Sequence, residues 1–364
     1  MTLKCGIVGL PNVGKSTLFN ALTSSIAAEA ANYPFCTIDP NFSCVSVPDK
    51  RLEKLAELAG SQNTIHAQIE FVDIAGLVRG AHEGQGRGNQ FLSYIREVDC
   101  ILYILRCFDD QDVIHVEGRV DPISDNEIIE TELILADIQS LTKRIPNMEK
   151  KSKQSKEIAD QLILINELLK VLNEGKPVSS LITEHNLNEI NNLQLLTSKP
   201  FLYVCNVAES DIIDGNTLTN AVLQKANEVG AKTVLISAQI EQEIANLPEK
   251  SEKEEFLKAL GLEESSLHRL IRASYETLDL ITFFTIGPKE AHAWTTHKGA
   301  TAPQAAGVIH TDFEKGFICA ETISCIDYMN YGSEAKVKEA GKLRLEGREY
   351  RVNDGDVMHF RFNV

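Results

Sequence analysis

Long apolar runs are absent from this sequence. Nothing in its 364 residues approaches the roughly 18 consecutive nonpolar side chains that a membrane-crossing helix needs. Met1 to Val8 leads straight into a first strand, so no secretory leader is expected either. Paired cysteines are also missing. Cys5, Cys36, Cys44, Cys100, Cys107, Cys205, Cys319 and Cys325 are scattered without a single C-x-x-C, which argues against a zinc site or disulfide frame. Such usage suits reduced thiols and a cytoplasmic protein. Positive charge is scarce, with 36 Lys and Arg against 52 Asp and Glu and a net charge of -16. A surface that binds nucleic acid all over is thereby excluded, and any such contact must be local. What is present is a 43% hydrophobic, 24% charged chain, long enough for two or three domains with full cores.

The stretch around which the rest is organised is Gly9-Leu10-Pro11-Asn12-Val13-Gly14-Lys15-Ser16-Thr17. It reads G-x-x-x-x-G-K-[ST], a phosphate-binding loop in which backbone N–H groups wrap phosphates, Lys15 reaches the terminal ones and the Ser16 hydroxyl ligates Mg²⁺. The context agrees. Cys5 to Val8 is a short apolar run suited to a buried strand, and Thr17 to Leu22 continues as a helix whose N-terminus faces the anion.

A nucleotide switch then needs a loop hydroxyl that reaches Mg²⁺, and Thr37, within Asn32 to Pro40, is the candidate. Gln68 to Asp73 alternates as a strand and delivers Asp73 to its end, where the carboxylate can hold Mg²⁺ through water; Gly76 lets backbone approach the γ-phosphate. The position after that glycine is Leu77, where Ras-like enzymes carry a water-orienting Gln. An apolar side chain cannot polarise water. Hydrolysis must therefore be slow or use another group, and His82 in the glycine-rich stretch that follows is the candidate catalytic helper.

Asp99 to Arg106, Pro200 to Asn206 and Lys232 to Ala238 read as buried parallel strands of a doubly wound α/β sheet. Base-reading loops follow the last two. Where guanine-specific enzymes have N-K-x-D, this chain has Asn206-Val207-Ala208-Glu209. Val207 removes the lysine that packs on the base, and the extra methylene of Glu209 disturbs the bidentate contact with guanine. An inward carboxylate would still repel the N1 acceptor of adenine. Guanine specificity is thus weakened and ATP becomes plausible, read by Asn206 and nearby backbone groups, with Ser237-Ala238 as the accompanying backbone clamp.

Between Arg106 and Pro200, Ile134, Ile138, Leu141 and Ile145, and then Ile158, Leu162, Ile165, Leu169 and Leu172, recur at heptad-like steps, predicting an antiparallel coiled-coil hairpin. Its expected tip carries Lys143, Arg144, Lys150, Lys151, Lys153 and Lys156 against Glu149, either a solvated face or a contact for ribosomal RNA or another polyanion. After Asp279, a strand from Leu280 to Ile286, a loop holding the lone Trp294, a capped helix start at Thr301, short strands at Gly307 to His310 and Gly316 to Ala320, and a last strand from Val357 to Phe362 suggest a small β-grasp-like unit.

These motifs, G-L-P-N-V-G-K-S-T at Gly9 to Thr17, Y-P-F-C-T-I at Tyr33 to Ile38, D-I-A-G-L-V-R-G-A-H at Asp73 to His82, N-V-A-E at Asn206 to Glu209 and K-G-A-T-A-P-Q-A-A-G at Lys298 to Gly307, resemble end to end those of the YchF family of Obg-like ATPases. The resemblance implies a P-loop G domain (1–125 and 200–278), a helical insert (126–199) and a C-terminal TGS domain (279–364). It also implies Mg²⁺-dependent hydrolysis of ATP in preference to GTP, and association with the ribosome, its large subunit or RNA. Family members share the apolar residue after D-x-A-G, so Leu77 is no defect. The alternative is a GTP-preferring protein, or an adaptor whose nucleotide merely orders the loops.

Overall fold

The structure is a computed structural model and describes residues 3–29, 41–74, 87–110, 115, 118–153, 155–183 and 185–363. The chain folds into two compact units: Leu3–Ser43 with Glu70–Leu270, and Met1–Thr2, Cys44–Ile69 and Ile271–Val364.

The first unit is built on a sheet of strands β1 (Lys4–Val8), β2 (Phe42–Ser46), β4 (Gln68–Asp73), β5 (Cys100–Arg106), β6 (Phe201–Asn206) and β7 (Lys232–Ile236), in the order β2-β4-β1-β5-β6-β7. The short strand β3 (Asn63–Ile65) belongs to the other sheet. β1 pairs in parallel with both β4 and β5, and β5-β6 and β6-β7 are parallel as well. All seven residues of β5 are buried, as a central strand covered on both faces requires. The order reverses at β1, so the carboxyl ends of β1, β4 and β5 open on one crevice. β7 ends two residues earlier than the apolar run suggests, because Ser237 becomes the N-cap of the helix Ala238–Asn246.

The insert begins with one long helix, Pro122–Ser152, capped by Asp121, whose side chain accepts from Ser124 N–H, with Pro122 in its first turn where a missing N–H costs nothing. The second helix, Lys156–Asn173, packs on it as the heptad spacing predicts. The buried seam is wider than the spacing implies. Ile134, Leu141, Ile165 and Leu172 are in it, but Leu168 is fully buried too, while Ile158 and Leu162 lie outside the cluster. A third helix, Leu187–Leu193, and the turn Val178–Leu181 supply Ile190 and Val178, which draw the second helix around toward Leu168.

The C-terminal sheet adds β8 (Leu280–Ile286), β9 (Glu290–His297), β10 (Phe317–Ser324), β11 (Arg344–Glu346) and β12 (Asp356–Phe362), and with β3 it runs β11-β10-β12-β8-β9-β3. The β8-β9 hairpin is antiparallel and the returning β12 pairs in parallel with β8, the signature of a β-grasp. The helix Ala302–Ile309 covers one face through Ala302, Ala305 and Ala306 packed near Phe283, Met358 and Phe360. Two sequence expectations are corrected here. Gly307 to Ile309 is helical and not a strand, the last turn of the helix Ala302–Ile309, with Gly307 packed close to Glu314 of the next short helix, Thr311–Lys315. Trp294 lies in β9, not in a loop, stacked on His292 with centroids 3.6 Å apart and its indole N–H donating to Thr285 Oγ1.

Candidate active site

The phosphate loop leaves β1 at Val8 and enters the helix Lys15–Glu29. Its first glycine, Gly9, is a packing requirement: a Cβ would lie 2.7 Å from the Ile104 carbonyl on β5. Asn12 and Gly14 take positive φ, 62° and 99°. Only glycine adopts the second without strain, and a Cβ on Gly14 would also collide with the Asn206 amide nitrogen. A loop of this kind running into a helix N-terminus is suited to binding an anion through its backbone N–H groups.

Lys15 is 7% exposed and its ammonium donates to the Leu10 carbonyl at 2.7 Å, folded back over its own loop. Burial lowers its pKa to about 8, partly offset by the Asp73 carboxylate. Asp73, at the end of β4, is half-buried, and burial raises its pKa against the pull of Lys15. Its Oδ1 is buried with no hydrogen-bond partner among the described residues. The Ser16 side chain is exposed in the first helical turn and Thr17 is half-buried behind it. A buried orphan carboxylate oxygen and an exposed hydroxyl at the head of the phosphate loop are hard oxygen donors of the kind Mg²⁺ prefers, so the residues present fit that ion.

Asn206 closes the site from the other side. Its Nδ2 donates to the Val13 carbonyl at 2.9 Å and its Oδ1 accepts from Ala238 N–H at 3.0 Å, so one carboxamide ties the phosphate loop to the loop after β7. Val207 is 2% exposed, fixed by its N–H to the Ile236 carbonyl, and Ser237 is 3% exposed. Glu209 is exposed in the short 3₁₀ turn Glu209–Asp211. The structure therefore gathers Asn12, Val13, Gly14, Lys15, Ser16, Asp73, Asn206 and Ala238 at one end of the sheet. Thr37, Gly76, Leu77 and His82 lie outside the described residues. Motif reading passes over two contributors, the Leu10 carbonyl that holds Lys15 and Ile104 beside Gly9, since a backbone oxygen carries no signature in sequence. The basic tip of the insert is also divided. Lys143, Lys150, Lys151, Lys153 and Lys156 are exposed, whereas Arg144 is partly buried and donates to the Leu193 carbonyl at 3.0 Å, tying the long helix to the third one.

Residues 4–131 match the family model MMR_HSR1, described as a 50S ribosome-binding GTPase, and residues 280–363 match YchF-GTPase_C, described as a protein of unknown function. The chain is 51% identical to the protein named ribosome-binding ATPase YchF from Bacillus subtilis (strain 168), and 50% identical to the one of that name from Escherichia coli O157:H7, with all of each chain covered. The structure of the Schizosaccharomyces pombe YchF GTPase superposes with a TM-score of 0.89 at 38% identity, covering 99% of this chain and 98% of that one. With half of all residues identical across the full length of its relatives, the chain belongs to the YchF family.

Proposed function

We propose that the protein is a Mg²⁺-dependent nucleoside triphosphatase that hydrolyses ATP, in preference to GTP, to ADP and phosphate, and acts as a ribosome-associated switch in the cytoplasm. The observation that carries this reading is the buried Lys15 beside the unpartnered Asp73 oxygen, at the mouth of the phosphate loop. Arrival of the phosphates restores full protonation of Lys15, whose ammonium exchanges the Leu10 carbonyl for a phosphate oxygen. Ser16, Thr37 and Asp73 would hold Mg²⁺, which supplies charge neutralisation at the transferring phosphoryl group. Gly76 senses the γ-phosphate through its backbone, and His82 is the proposed helper in place of the glutamine absent at Leu77.

Asn206 has both ends of its carboxamide engaged, so its part is to brace the base loop. Base choice then falls to Glu209 and the backbone around Ser237-Ala238. With Val207 in place of lysine, no cation covers the base from that position, and the extra methylene of Glu209 disturbs the bidentate contact with guanine. Ribosome association is supported by the names of the relatives and by the exposed lysines Lys143, Lys150, Lys151, Lys153 and Lys156, which suit RNA of the large subunit locally in an otherwise acidic chain. Among the described residues, no helix is long and apolar enough to cross a membrane.

Calorimetric titration of nucleotide-free protein with non-hydrolysable ATP and GTP analogues, with Mg²⁺ throughout, tests the reading. Tighter ATP binding, lost in Lys15→Ala together with hydrolysis, is expected. Tighter GTP binding would return the protein to the guanine-specific enzymes, and an unaffected Lys15→Ala would remove the phosphate loop from the chemistry.

A further inference from the structure

Glu209 sits on a single 3₁₀ turn, Glu209–Asp211, three residues past the end of β6, and its side chain is exposed. A long side chain on an exposed turn discriminates between two purines only if the turn beneath it holds one position. Asn216 supplies that restraint. It is the N-cap of the helix Thr217–Val229, where its Oδ1 accepts from Leu218 N–H and Thr219 N–H, both at 3.0 Å. Capping needs only that oxygen. The amide nitrogen of the same side chain donates to Asp211 Oδ2 at 2.7 Å and to the Cys107 carbonyl at 2.8 Å. Both of its hydrogens are thereby used, one on the turn that carries Glu209 and one on the loop that follows β5.

The loop to which the turn is tied is itself firmly held. Arg106, the last residue of β5, is 1% exposed; its guanidinium donates to the Phe108 carbonyl at 3.2 Å and the Asp110 carbonyl at 3.1 Å, and lies 4.7 Å from the centre of the Phe108 ring. Cys107 is fully buried and donates its N–H to the Asn206 carbonyl at 2.8 Å. Its backbone therefore meets the first residue of N-V-A-E through the N–H and Asn216 through the carbonyl. On the other side, the Asp211 carbonyl accepts from Gly215 N–H at 2.9 Å, so the segment from Asp211 to Asn216 is bonded at both ends. A serine would cap the helix as well as asparagine does, but it offers no amide to reach Asp211 or Cys107.

We infer that Asn216 is a positioning residue for base choice: its amide group holds the Glu209 turn against the loop after β5 and so fixes where the Glu209 carboxylate meets the purine. The inference rests on the nucleotide reading above and adds to it a residue that acts through Glu209.

Calorimetric titration of the full chain with non-hydrolysable ATP and GTP analogues and with pyrophosphate, all with Mg²⁺, tests it on two variants. Asn216→Ser keeps the helix cap; Asp211→Ala breaks the clasp from its other end and leaves the cap untouched. Each should change the ratio of ATP to GTP affinity by about fivefold or more, the scale of one hydrogen bond to a charged group, with pyrophosphate affinity close to wild type and a cooperative thermal melt retained. In a Glu209→Ala background neither substitution should move the ratio further. A ratio unmoved in both variants overturns the inference, and so does an equal fall in pyrophosphate affinity, which would make Asn216 a general brace of the sheet end. A shift that persists in the Glu209→Ala background overturns the action through Glu209. Failure of the wild-type chain to bind either nucleotide would overturn the nucleotide reading and this inference together.

Discussion

Gly14 lies directly beneath Asn206: a methyl group in place of its hydrogen would collide with Asn206 Nδ2, which is already committed to the Val13 carbonyl at 2.9 Å. The phosphate loop and the base loop are thereby one interlocked structure, and damage to either should reach the other.

Asn206→Ala should therefore lower affinity for the phosphates as well as for the base. It leaves the Val13 carbonyl and Ala238 N–H unsatisfied in a buried place, at about 1–3 kcal/mol for such a group, so a loss of about tenfold or more in nucleotide affinity is expected. Pyrophosphate, which has no base, discriminates: an unchanged pyrophosphate affinity in Asn206→Ala would mean that the brace does not shape the phosphate loop.

The depressed pKa of Lys15 makes two linked predictions about pH. In the folded protein it titrates at about 8, against an ordinary value of 10.5, so between these limits the unfolded chain holds the extra proton and this group makes stability rise with pH. Lys15→Met should flatten that rise in thermal melts across the same window. Nucleotide phosphates pull the pKa back up, so ATP binding just above pH 8 should take up protons. Titrations in buffers of different ionisation enthalpy will detect the uptake, which should fade as the pH is lowered well below 8, where Lys15 is already protonated.

Glu209→Asp tests the base reader with little risk to the fold, because Glu209 is exposed. Shortening the side chain by one methylene restores the carboxylate position found in N-K-x-D and should shift the ATP to GTP affinity ratio toward GTP by about tenfold, the scale of one well-placed hydrogen bond to a charged group. The melting temperature should not change. An unmoved ratio would assign base choice to the backbone alone.

The insert tip should separate into two kinds of cation. Replacing Lys150, Lys151 and Lys153 with Glu should weaken ribosome co-sedimentation and flatten its salt dependence without altering stability, as loss of exposed phosphate contacts does. Arg144→Ala should do the reverse, lowering thermal stability by about 1–2 kcal/mol through the lost bond to the Leu193 carbonyl while leaving sedimentation close to wild type. Equal effects of the two changes on sedimentation would remove the distinction.

The sequence by itself determined the local parts. Gly9 to Thr17, with a strand before and a helix after, specifies its own conformation because glycine φ freedom and helix-start amides act over a few residues. Continuous apolar runs marked β5, β6 and β8, since a strand covered on both faces has no other composition available. Tertiary structure alone decided which distant groups meet. Asn206 and Val13 are 193 residues apart, and nothing in N-V-A-E says which carbonyl its amide will seek. The heptad steps located the paired helices, but Val178 and Ile190 turned their seam to Leu168. The excursion from Cys44 to Ile69 is the clearest case: its sequence lies within the first unit, while edge pairing with β9 and the pull of Asp354 on Arg51 place it in the other. Short-range preferences are written residue by residue, whereas a strand edge or a long-range ion pair chooses its partner only when the rest of the chain has folded around it.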